Sequence, residues 1–449
     1  MMEKNRFRKA TLLVVIILGV NSLAMAQTRN EFSVKQAVDY GLKNAVEVKN
    51  ALLDILIQEQ SNRDITSGAF PEIRANGTFN DYLNIPTTLL PGEIIGQPAG
   101  TFVPVKFGTK YTSGGGVSLS QVLFDGQVFV GLQARKTSVN ARRKAAEVTQ
   151  ENIKANIYKT YYQLVVSKTQ IELLDANIAR LQKLEHDTRE IYKNGFAEKL
   201  DVDKLTVQIA NLQTEKLTTL NGIKNGYTGL KVLMGMPLKD SVVLTDTLSE
   251  GQIKENILES TDYKYTDRKE YQALELTQKL KEFNIKRYKL SNIPVLSFNA
   301  NYSKQAQRSE FDFFKKGGDW FSTSYIGLNL NIPIFKGFST RAKINQSKLE
   351  LQQTLNQLEG LKISIDNDVA VAKNSFITAT ATMDYQKENM TLAELVYNQT
   401  KKKYESGTGS ATEINTAQVD MKTAQTNYIN ALYDAVIARI DLLKAVGRL

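Results

Sequence analysis

Residue types that usually carry chemistry are almost missing from this sequence: it has no cysteine and a single histidine, His186. The absence of cysteine excludes disulfides and a lipid-modified N-terminal cysteine. One histidine without cysteine gives no pattern for a zinc site or a Ser–His triad. No GxxxxGKS/T or GxGxxG motif follows a strand-like segment, so nucleotide binding is not indicated either. We therefore expect no cofactor and no enzymatic activity.

Long apolar runs are also missing beyond the N-terminus, where no stretch reaches the 18 consecutive apolar residues that indicate a membrane-spanning helix. At the N-terminus, four basic residues precede an 11-residue apolar run, Ala10 to Val20, and a small-x-small site at Ala24-Met25-Ala26. This pattern predicts a secretory signal peptide, residues 1–26, with an uncleaved anchor helix as the alternative. We expect the mature chain to begin at Gln27 and to leave the cytoplasm.

The charge balance is basic but not concentrated in one place. The net charge of +10 falls to +7 without residues 1–26, which hold four bases and one acid. The bases are spread along helical patterns, and the short run Lys401-Lys402-Lys403 is the one block that stands out. This distribution favours a solvated surface, so we expect no nucleic-acid partner.

The chain contains two related halves. Each half reads as a helix, a strand pair, a very long helix, a tight turn and a shorter helix, and this order predicts a duplicated structural unit. Corresponding motifs share an offset of 211 or 212 residues: Gly126 with Gly337, Tyr192-Lys-Asn-Gly195 with Tyr404-Glu-Ser-Gly407, and Gly235 with Gly447.

The long segments carry a heptad pattern. From Leu351 to Tyr404, 13 of the 16 positions at 4-3 spacing are apolar, and 10 of 16 are apolar in the same register from Val139 to Tyr192. A heptad sustained over so many turns indicates coiled-coil packing. At 1.5 Å per residue, each such helix would be about 100 Å long.

Both long helices are predicted to end in a sharp reversal. Gly195 and Gly407 stand where the chain must adopt a left-handed conformation, and Ser410-Ala-Thr-Glu413 matches a capping box for the returning helix. A short turn makes the returning helix an antiparallel neighbour. Its predicted apolar seam comprises Val202, Leu205, Ile209 and Leu212 in the first half, and Ile414, Ala417, Met421, Ala424, Tyr428 and Ala431 in the second.

Four segments between the helices alternate apolar and polar residues with the period of a strand. The clearest runs from Tyr325 to Phe335, and the others cover 295–302, 117–123 and 73–80. Such strands suit a water-filled barrel in lipid, although a soluble sandwich face alternates in the same way. Four strands cannot close a pore, and lipid does not tolerate open edges. We therefore expect several chains to contribute, and three chains would supply about 12 strands.

Two connections join these strands in pairs. Residues 81–109 hold four prolines and are expected to form a loop. Residues 303–324 contain five aromatic residues: Phe311, Phe313, Phe314, Trp320 and Phe321. An interfacial aromatic girdle and a mobile surface loop with incidental aromatics both fit this composition.

With these features the chain resembles the TolC family of outer-membrane efflux proteins over nearly its whole mature length. The resemblance rests on the duplicated plan with its 212-residue offset, on Ile332-Pro-Ile-Phe-Lys-Gly337 before the second long helix, and on the paired Tyr-x-x-Gly turns. It implies a mainly α fold with duplicated long antiparallel helical hairpins that form an α-barrel. It also implies four strands per chain that contribute to a trimeric, 12-stranded membrane β-barrel.

The domain boundaries follow from the repeat. We expect a first structural repeat at 27–235, an equatorial insertion at 236–263 with a strand-like stretch from Asp240 to Leu248, and a second structural repeat at 264–449. Within the repeats, the strand pairs are predicted at 71–126 and 294–337, and the long helical hairpins at 127–235 and 338–449.

The resemblance implies a passive exit channel through the outer membrane and across the periplasm, in a tripartite efflux or type I secretion system. It implies a homotrimer in contact with outer-membrane lipid, with a periplasmic adaptor (membrane fusion) protein and an inner-membrane pump as partners. The alternative is an exported structural coiled coil such as an adhesin stalk, and the duplicated strand pairs count against it. Drug, metal and protein cargo all stay open.

The resemblance also implies site residues at the periplasmic tip, in the turns Tyr192–Asp201 and Tyr404–Glu413, which include Gly195 and Gly407. Tyr404 and Asp201 match a tyrosine and an aspartate of the family's closing network. The arginine of that network falls at Gly409 here, and lysines 401–403 are candidates to replace it.

An acidic ring around the pore entrance is the second implied site. Glu413 matches one of its positions, whereas the other falls at Thr416. Simpler explanations stand beside these roles. Glu413 completes a capping box, Asp201 lies in a first helical turn where the macrodipole favours any acid, and the two tyrosines fit a packed seam.

Overall fold

The computed structural model describes residues 29–248, 250–254 and 262–449. The predicted signal peptide lies outside these ranges, as does part of the predicted insertion at 236–263. The helices are α1 (Val34–Asn44), α2 (Val46–Ser67), α3 (Gly126–Lys193), α4 (Lys199–Met234), α5 (Glu250–Lys254), α6 (Lys269–Leu290), α7 (Ser339–Glu405) and α8 (Ala411–Ala445). The strands are β1 (Arg29–Phe32), β2 (Glu72–Asp81), β3 (Thr87–Pro91), β4 (Phe102–Lys106), β5 (Tyr111–Phe124), β6 (Ser241–Leu244), β7 (Val295–Arg308) and β8 (Phe321–Asn331).

The chain divides into two compact units. Unit 1 comprises the chain up to Ile55 with Arg142–Leu274 and Gln357–Leu449, and unit 2 comprises Leu56–Ala141 and Glu275–Asn356. Each unit draws residues from both halves of the sequence repeat, so the compact units do not coincide with the repeats. The repeat boundaries therefore stay a prediction.

Unit 2 contains an antiparallel sheet of four strands in the order β2-β5-β7-β8. Directly paired residues point to the same side, and side chains alternate along each strand. One side, called the apolar face, carries Ile73, Phe79, Val117, Leu119, Phe298, Ala300, Tyr302, Ile326, Leu328 and Leu330. The opposite, polar face carries Asn76, Thr78, Asn80, Thr112, Ser118, Ser120, Asn299, Asn301, Gln305, Asn329 and Asn331. The alternation predicted from the sequence is confirmed.

Strand β8 is shifted relative to its predicted bounds. The sequence pattern ran from Tyr325 to Phe335, but the strand begins at Phe321 and ends at Asn331. Pro333 has no N–H to donate to a ladder, which explains why the apolar alternation outlasts the strand. Strand β7 is longer than predicted and continues to Arg308, because it pairs with β5 as far as Tyr111.

The prediction that residues 81–109 form no regular structure is wrong. Strands β3 and β4 pair there as an antiparallel hairpin, with a short 3₁₀ helix at Gly92–Ile95 between them. Pro91 pairs with Phe102 and Pro104 with Leu89. In a two-stranded hairpin both strands are edge strands, and proline is tolerated at positions whose N–H would not donate to the partner strand. The four prolines are therefore compatible with a hairpin.

The aromatic residues of the β7–β8 connection pack against the apolar face. Phe311 contacts Phe79 and Tyr111, with ring centroids 5.6 and 5.8 Å apart, and it also contacts Phe313 at 5.8 Å. Phe313 in turn lies 6.2 Å from Trp320. These five residues, called the aromatic cluster, form a folded cap over the strand ends. The connection itself covers 309–320, because 303–308 and 321–324 belong to strands.

The long helix α7 has the predicted extent and seam, and α3 has the predicted seam over most of its length. Helix α7 was expected from about Phe338 to Tyr404 and is observed at Ser339–Glu405. None of its 16 predicted seam residues is exposed, and Ile365, Phe376 and Met383 are fully buried. In α3 the seam holds from Ala146 to Thr188. The sequence prediction is wrong at its ends, since Arg143 and Tyr192 are exposed.

The described residues of unit 1 form three apolar cores. One joins α7 and α8 and includes Phe376, Met383 and Leu442. A second joins α1, α3 and α4, with Tyr161 and Leu164 at its centre. The third, near the turns, contains residues of α3, α4, α7 and α8: Leu174, Ile178, Leu181, Leu184, Leu205, Leu212, Tyr397, Ile414, Ala417 and Met421.

The predicted insertion is partly a strand. Within Asp240 to Leu248, residues Ser241–Leu244 form β6, which pairs in parallel with β1, a strand that the sequence pattern did not indicate. The Tyr161 hydroxyl donates to the Phe32 carbonyl at 2.8 Å and accepts from the Asp246 N–H at 3.1 Å. A buried tyrosine of α3 therefore holds this two-stranded ladder.

A short helix after this strand is fixed to α7 and α8 by charge. Glu250 of α5 accepts hydrogen bonds from Lys387 Nζ at 2.8 Å and from the Tyr428 hydroxyl at 2.6 Å. These two donors lower the pKa of the Glu250 carboxyl. Lys254 donates to both oxygens of Asp384, at 2.6 and 2.8 Å. Three polar contacts thus compensate for the small size of α5.

Across the described ranges, no helix combines the length and apolarity that crossing a membrane requires.

Candidate functional site at the helical turns

The two long hairpins of unit 1 reverse through the same backbone geometry. In the first turn, the Gly195 N–H donates to the Tyr192 carbonyl at 2.9 Å and the Phe196 N–H donates to Ile191 at 3.1 Å. In the second turn, Gly407 donates to Tyr404 at 3.0 Å and Thr408 donates to Lys403 at 3.0 Å. Both glycines have a left-handed φ, 80° and 76°. This is a Schellman closure, which side chains larger than glycine oppose. The predicted left-handed conformation of both glycines is confirmed, whereas their roles at a channel tip stay a prediction.

The two equivalent tyrosines have different environments. The Tyr404 hydroxyl lies 3.1 Å from Thr188 Oγ1, and its ring packs against the core near the turns. Tyr192 is 42% exposed and takes no part in that core. The interpretation of both as packed seam residues therefore holds for Tyr404 and is wrong for Tyr192. Thr188, itself fully buried, is a partner that sequence reasoning missed.

Asp201 lies in the first turn of α4, where Lys204 Nζ approaches its Oδ1 at 3.6 Å. The carboxylate is mostly covered, with its side chain 19% exposed. Among the described residues, no hydrogen bond or ion pair joins Asp201 to Tyr404. The structure thus places the two predicted network members in one unit without bringing their polar atoms together.

Glu413 completes the predicted capping box. Its N–H donates to Ser410 Oγ at 3.2 Å, and the Ser410 N–H donates to Glu413 Oε2 at 3.4 Å. One carboxylate oxygen is committed to the cap, and the side chain stays exposed. Thr416, at the second position of the implied acidic ring, donates to the Thr412 carbonyl at 3.0 Å.

Gly409 stands in a tight part of the second turn. A Cβ placed there would lie 3.0 Å from the Tyr404 nitrogen and 3.1 Å from Lys403 Cβ. An arginine at position 409 would therefore require these neighbours to move by a few tenths of an ångström. Of the candidate replacements, Lys401 reaches Glu405 at 3.6 Å, and Lys402 and Lys403 supply carbonyl acceptors to the turn.

A buried polar network lies between the helices behind the turns. Asn177 Nδ2 of α3 donates to Gln425 Oε1 of α8 at 2.8 Å, and Gln418 Nε2 donates to Asn177 Oδ1 at 3.0 Å. Gln425 also donates to Glu394 Oε1 of α7 at 3.0 Å. Asn177, Gln418 and Gln425 are each 2% exposed. The network ties the first hairpin to the second.

Sequence reasoning missed this network because its residues lie beside the seam positions Ile178, Ala417 and Ala424. A signal existed: Gln418 and Gln425 are seven residues apart and so occupy one heptad position. A repeated glutamine next to a seam indicates a second, polar line of contacts. The sequence around the glutamines does not identify the helix that packs against them.

The two turns differ in their exposed side chains. The first exposes Phe196 at 86% and Leu200 at 56%. The second exposes small polar groups at the equivalent positions, Thr408 and Thr412. An apolar groove between α4 and α8 continues from Leu200 past Val207 to Val419. This apolar end is suited to contact another protein.

Comparison with known proteins agrees with this architecture. The model of the family described as "Outer membrane efflux protein" matches residues 268–448. Outer membrane protein TolC of Vibrio cholerae is 19% identical over 74% of this chain and 76% of its own length. Outer membrane efflux protein BepC of Brucella suis is 24% identical over 76% of this chain and 74% of its own length.

Solved structures show the same fold. The outer-membrane channel CmeC of Campylobacter jejuni superposes with a TM-score of 0.74 at 17% identity, covering 92% of this chain and 85% of CmeC. The family match covers the second half of the repeat, while the structural likeness extends through both halves. Residues 268–448 therefore match the outer membrane efflux protein family, and 92% of the chain has the fold of the outer-membrane channel CmeC.

Proposed function

We propose that this protein is the passive outer-membrane exit channel of a tripartite efflux or type I secretion system, located in the cell outer membrane and extending into the periplasm. The observation that carries the proposal is the sheet of unit 2. It has an exposed apolar face and a polar face, and each of its strands adjoins one of the helices α2, α3, α6 and α7 in sequence.

The sheet also indicates how a pore would form. Its edge strands β2 and β8 each have one paired neighbour, so each leaves a row of backbone groups open. Open edges are not tolerated in lipid, because unpaired N–H and C=O groups cost several kcal/mol each there. Pairing of β2 with β8 of another copy removes both edges. Three copies would close about 12 strands around a lumen lined by the asparagine- and serine-rich polar face.

We further propose that the helical turns form the periplasmic tip, which closes at rest and opens when a periplasmic adaptor protein and an inner-membrane pump dock. Phe196, Leu200 and the adjoining apolar groove are the surface offered to the adaptor. No covalent chemistry is needed for this task, since the channel only provides a path.

The experiment that tests the channel is the native mass of the detergent-extracted protein, followed by conductance in planar bilayers. A mass of three chains with measurable single-channel conductance would support it. A water-soluble monomer without conductance would instead support an exported coiled-coil protein whose strands are faces of a soluble domain.

Asp201→Ala is expected to raise the resting conductance several-fold. Its carboxylate is mostly covered near the turns, and Lys204, its cation partner among the described residues, lies on its own helix. The proposal gives it a second partner on another copy. Asp203→Ala is the matched control, since Asp203 is exposed in the same turn. Equal conductance of the two variants would remove Asp201 from the gate.

Glu413→Gln is expected to reduce the preference of the channel for cations. Three carboxylates in a constriction attract cations, and glutamine removes this charge while it can still complete the capping box. The helix start should therefore survive. Reversal potentials under a salt gradient measure the effect, with Asp420→Asn as the control. Unchanged selectivity would leave Glu413 with its capping role alone.

A further inference from the structure

The apolar face of the sheet carries one lysine in its interior. Lys304 of β7 shares this face with Phe298, Ala300 and Tyr302, and it is exposed. The other charged residues of this face within the four strands, Asp81 and Arg308, lie in the last row at the loop ends. A cation on a face that meets hydrocarbon is costly unless it reaches a polar partner.

The neighbours of Lys304 leave space around it. Its direct partners across the sheet are Gly115 on β5 and Ser322 on β8, and Gly115 pairs in turn with Gly77 on β2. A Cβ at Gly115 would meet only the Asn76 carbonyl at 3.5 Å, and one at Gly77 only the Gly114 carbonyl at 4.0 Å. The row is therefore a shallow notch across the sheet, with one ammonium group in it.

The notch is bounded by different surfaces on its two sides. Toward the loops, the aromatic cluster covers the strand ends and Ala306 is fully buried. Toward the helices lie the apolar residues Tyr302, Val117 and Ile326. Aromatic residues concentrate at the membrane–water boundary, so the notch lies where headgroups replace acyl chains.

The position of the notch along the strand agrees with this. Lys304 is eight residues beyond Leu296, where the apolar face begins. At about 3.4 Å per residue and a strand tilt of about 40°, this places Lys304 roughly 20 Å across the membrane, near the far edge of a band about 25 Å tall. Because the helices adjoin the opposite strand ends, the far edge is the outer leaflet.

Lys304 and Arg308 differ in their ion pairs and side-chain hydrogen bonds. The Arg308 guanidinium lies 3.3 Å from Asp312 Oδ1 and donates to the Asp319 carbonyl at 2.7 Å. Within residues 29–248, 250–254 and 262–449, Lys304 has no ion pair or side-chain hydrogen bond. Among the described residues, the Lys304 ammonium is thus free to bind a ligand, whereas the Arg308 guanidinium already has protein partners.

We propose that this notch binds the phosphate of an outer-leaflet lipid. Lys304 supplies the ammonium that contacts the phosphate, the small residues Gly77, Gly115 and Ser322 admit the headgroup, and the apolar residues below receive the acyl chains. The site rests on the proposed channel, in which the apolar face meets lipid. Its ligand class is a phosphate-bearing lipid, with the phosphorylated glycolipid of the outer leaflet as the expected occupant.

The test is native mass spectrometry of the detergent-purified protein with lipid A that carries two phosphates, and with the same lipid after phosphate removal. We expect the phosphorylated form to bind about tenfold more tightly, the preference typical of one charge-assisted contact. Lys304→Gln should abolish this preference, and Lys304→Arg should restore most of it. Lys106→Gln, which removes a lysine from the β4 strand, should leave the preference unchanged.

The same mass spectra test the proposed channel and the proposed lipid site separately. The number of chains per particle reports on the channel, and the lipid preference reports on the notch. Lys304→Met, which suits a lipid-facing position, guards against a folding defect. Equal binding of both lipids by the natural protein, or an unaltered preference in Lys304→Gln and Lys304→Met, would overturn the site. Competition by millimolar inorganic phosphate would also overturn the site, because the rest of the lipid would then contribute nothing to the affinity. So would an equal loss of preference in Asp81→Asn, which would assign Lys304 to a carboxylate of a neighbouring copy.

Discussion

Leu328→Lys should prevent assembly of the protein in the outer membrane, whereas Asn329→Lys, one residue further along β8, should leave it assembled. Leu328 is 68% exposed on the apolar face and pairs with Phe298, while Asn329 lies on the polar face opposite Ser297. The two variants add the same charge to the same strand.

The expected difference comes from the two environments of the sheet. A lysine near the middle of a lipid-facing band costs about 2–4 kcal/mol, and every copy in an oligomer would bear that cost. Unlike Lys304, a lysine at position 328 lies too far from either boundary to extend its ammonium to water. At position 329 the ammonium would enter the lumen, where water and the asparagine side chains solvate it.

Membrane fractionation and native mass measure the first effect, and conductance measures the second. Asn329→Lys should form channels with reduced cation permeation, since it adds a positive charge to the lumen wall. If both variants assembled equally well, the apolar face would not contact lipid. If both failed, the strand would not tolerate a lysine on either side, and the assignment of faces would lose its support.

The sheet shows what a sequence can and cannot specify. Period-two alternation identified all four strands and both faces, because the polarity of each side chain indicates which face of the sheet it lies on. The ends of the strands were less accurate. β7 extends to Arg308 because β5 pairs with it that far, and β8 stops at Asn331 although the alternation continues. Strand length depends on the partner, and the partner is remote in sequence.

The turns were predictable for a different reason. Gly195 and Gly407 follow from local backbone geometry, and Ser410 with Glu413 from a local hydrogen-bond pattern, so no distant residue was needed. By contrast, Thr188, the β1–β6 ladder and the β3–β4 hairpin depend on residues that meet only in the folded chain. The gate roles of Asp201 and Tyr404 came from family resemblance, and they stay proposals.

Asn177→Leu should destabilise the folded hairpins by roughly 2–4 kcal/mol. The substitution leaves Gln418 Nε2 and Gln425 Oε1 without the partner that each has now, in a core where both residues are 2% exposed. Each buried polar group left unpaired costs about 1–3 kcal/mol. Gln182→Leu, an equally polar-to-apolar change at an exposed position of α3, should alter stability by less than about 0.5 kcal/mol. Thermal dissociation of the detergent-solubilised oligomer compares the two.

The triple variant Asn177→Leu, Gln418→Leu and Gln425→Leu separates stability from function. It removes the three buried amides together, and only the half-buried Glu394 and Arg180 lose a partner, so it should recover much of the loss. Arg180 of α3 also belongs to the natural network, because its Nη2 donates to Asn177 Oδ1 at 3.0 Å. Among the described residues, Gln418 Oε1 and Arg180 Nε are buried without a hydrogen-bond partner, so both could form a further bond. Such groups can exchange hydrogen bonds when one hairpin slides past the other, and leucine side chains cannot. We therefore expect the triple variant to be stable but to support efflux poorly.

Full efflux by the triple variant would show that the network contributes only to packing. Failure to recover stability would show that its polar contacts are needed for the fold itself.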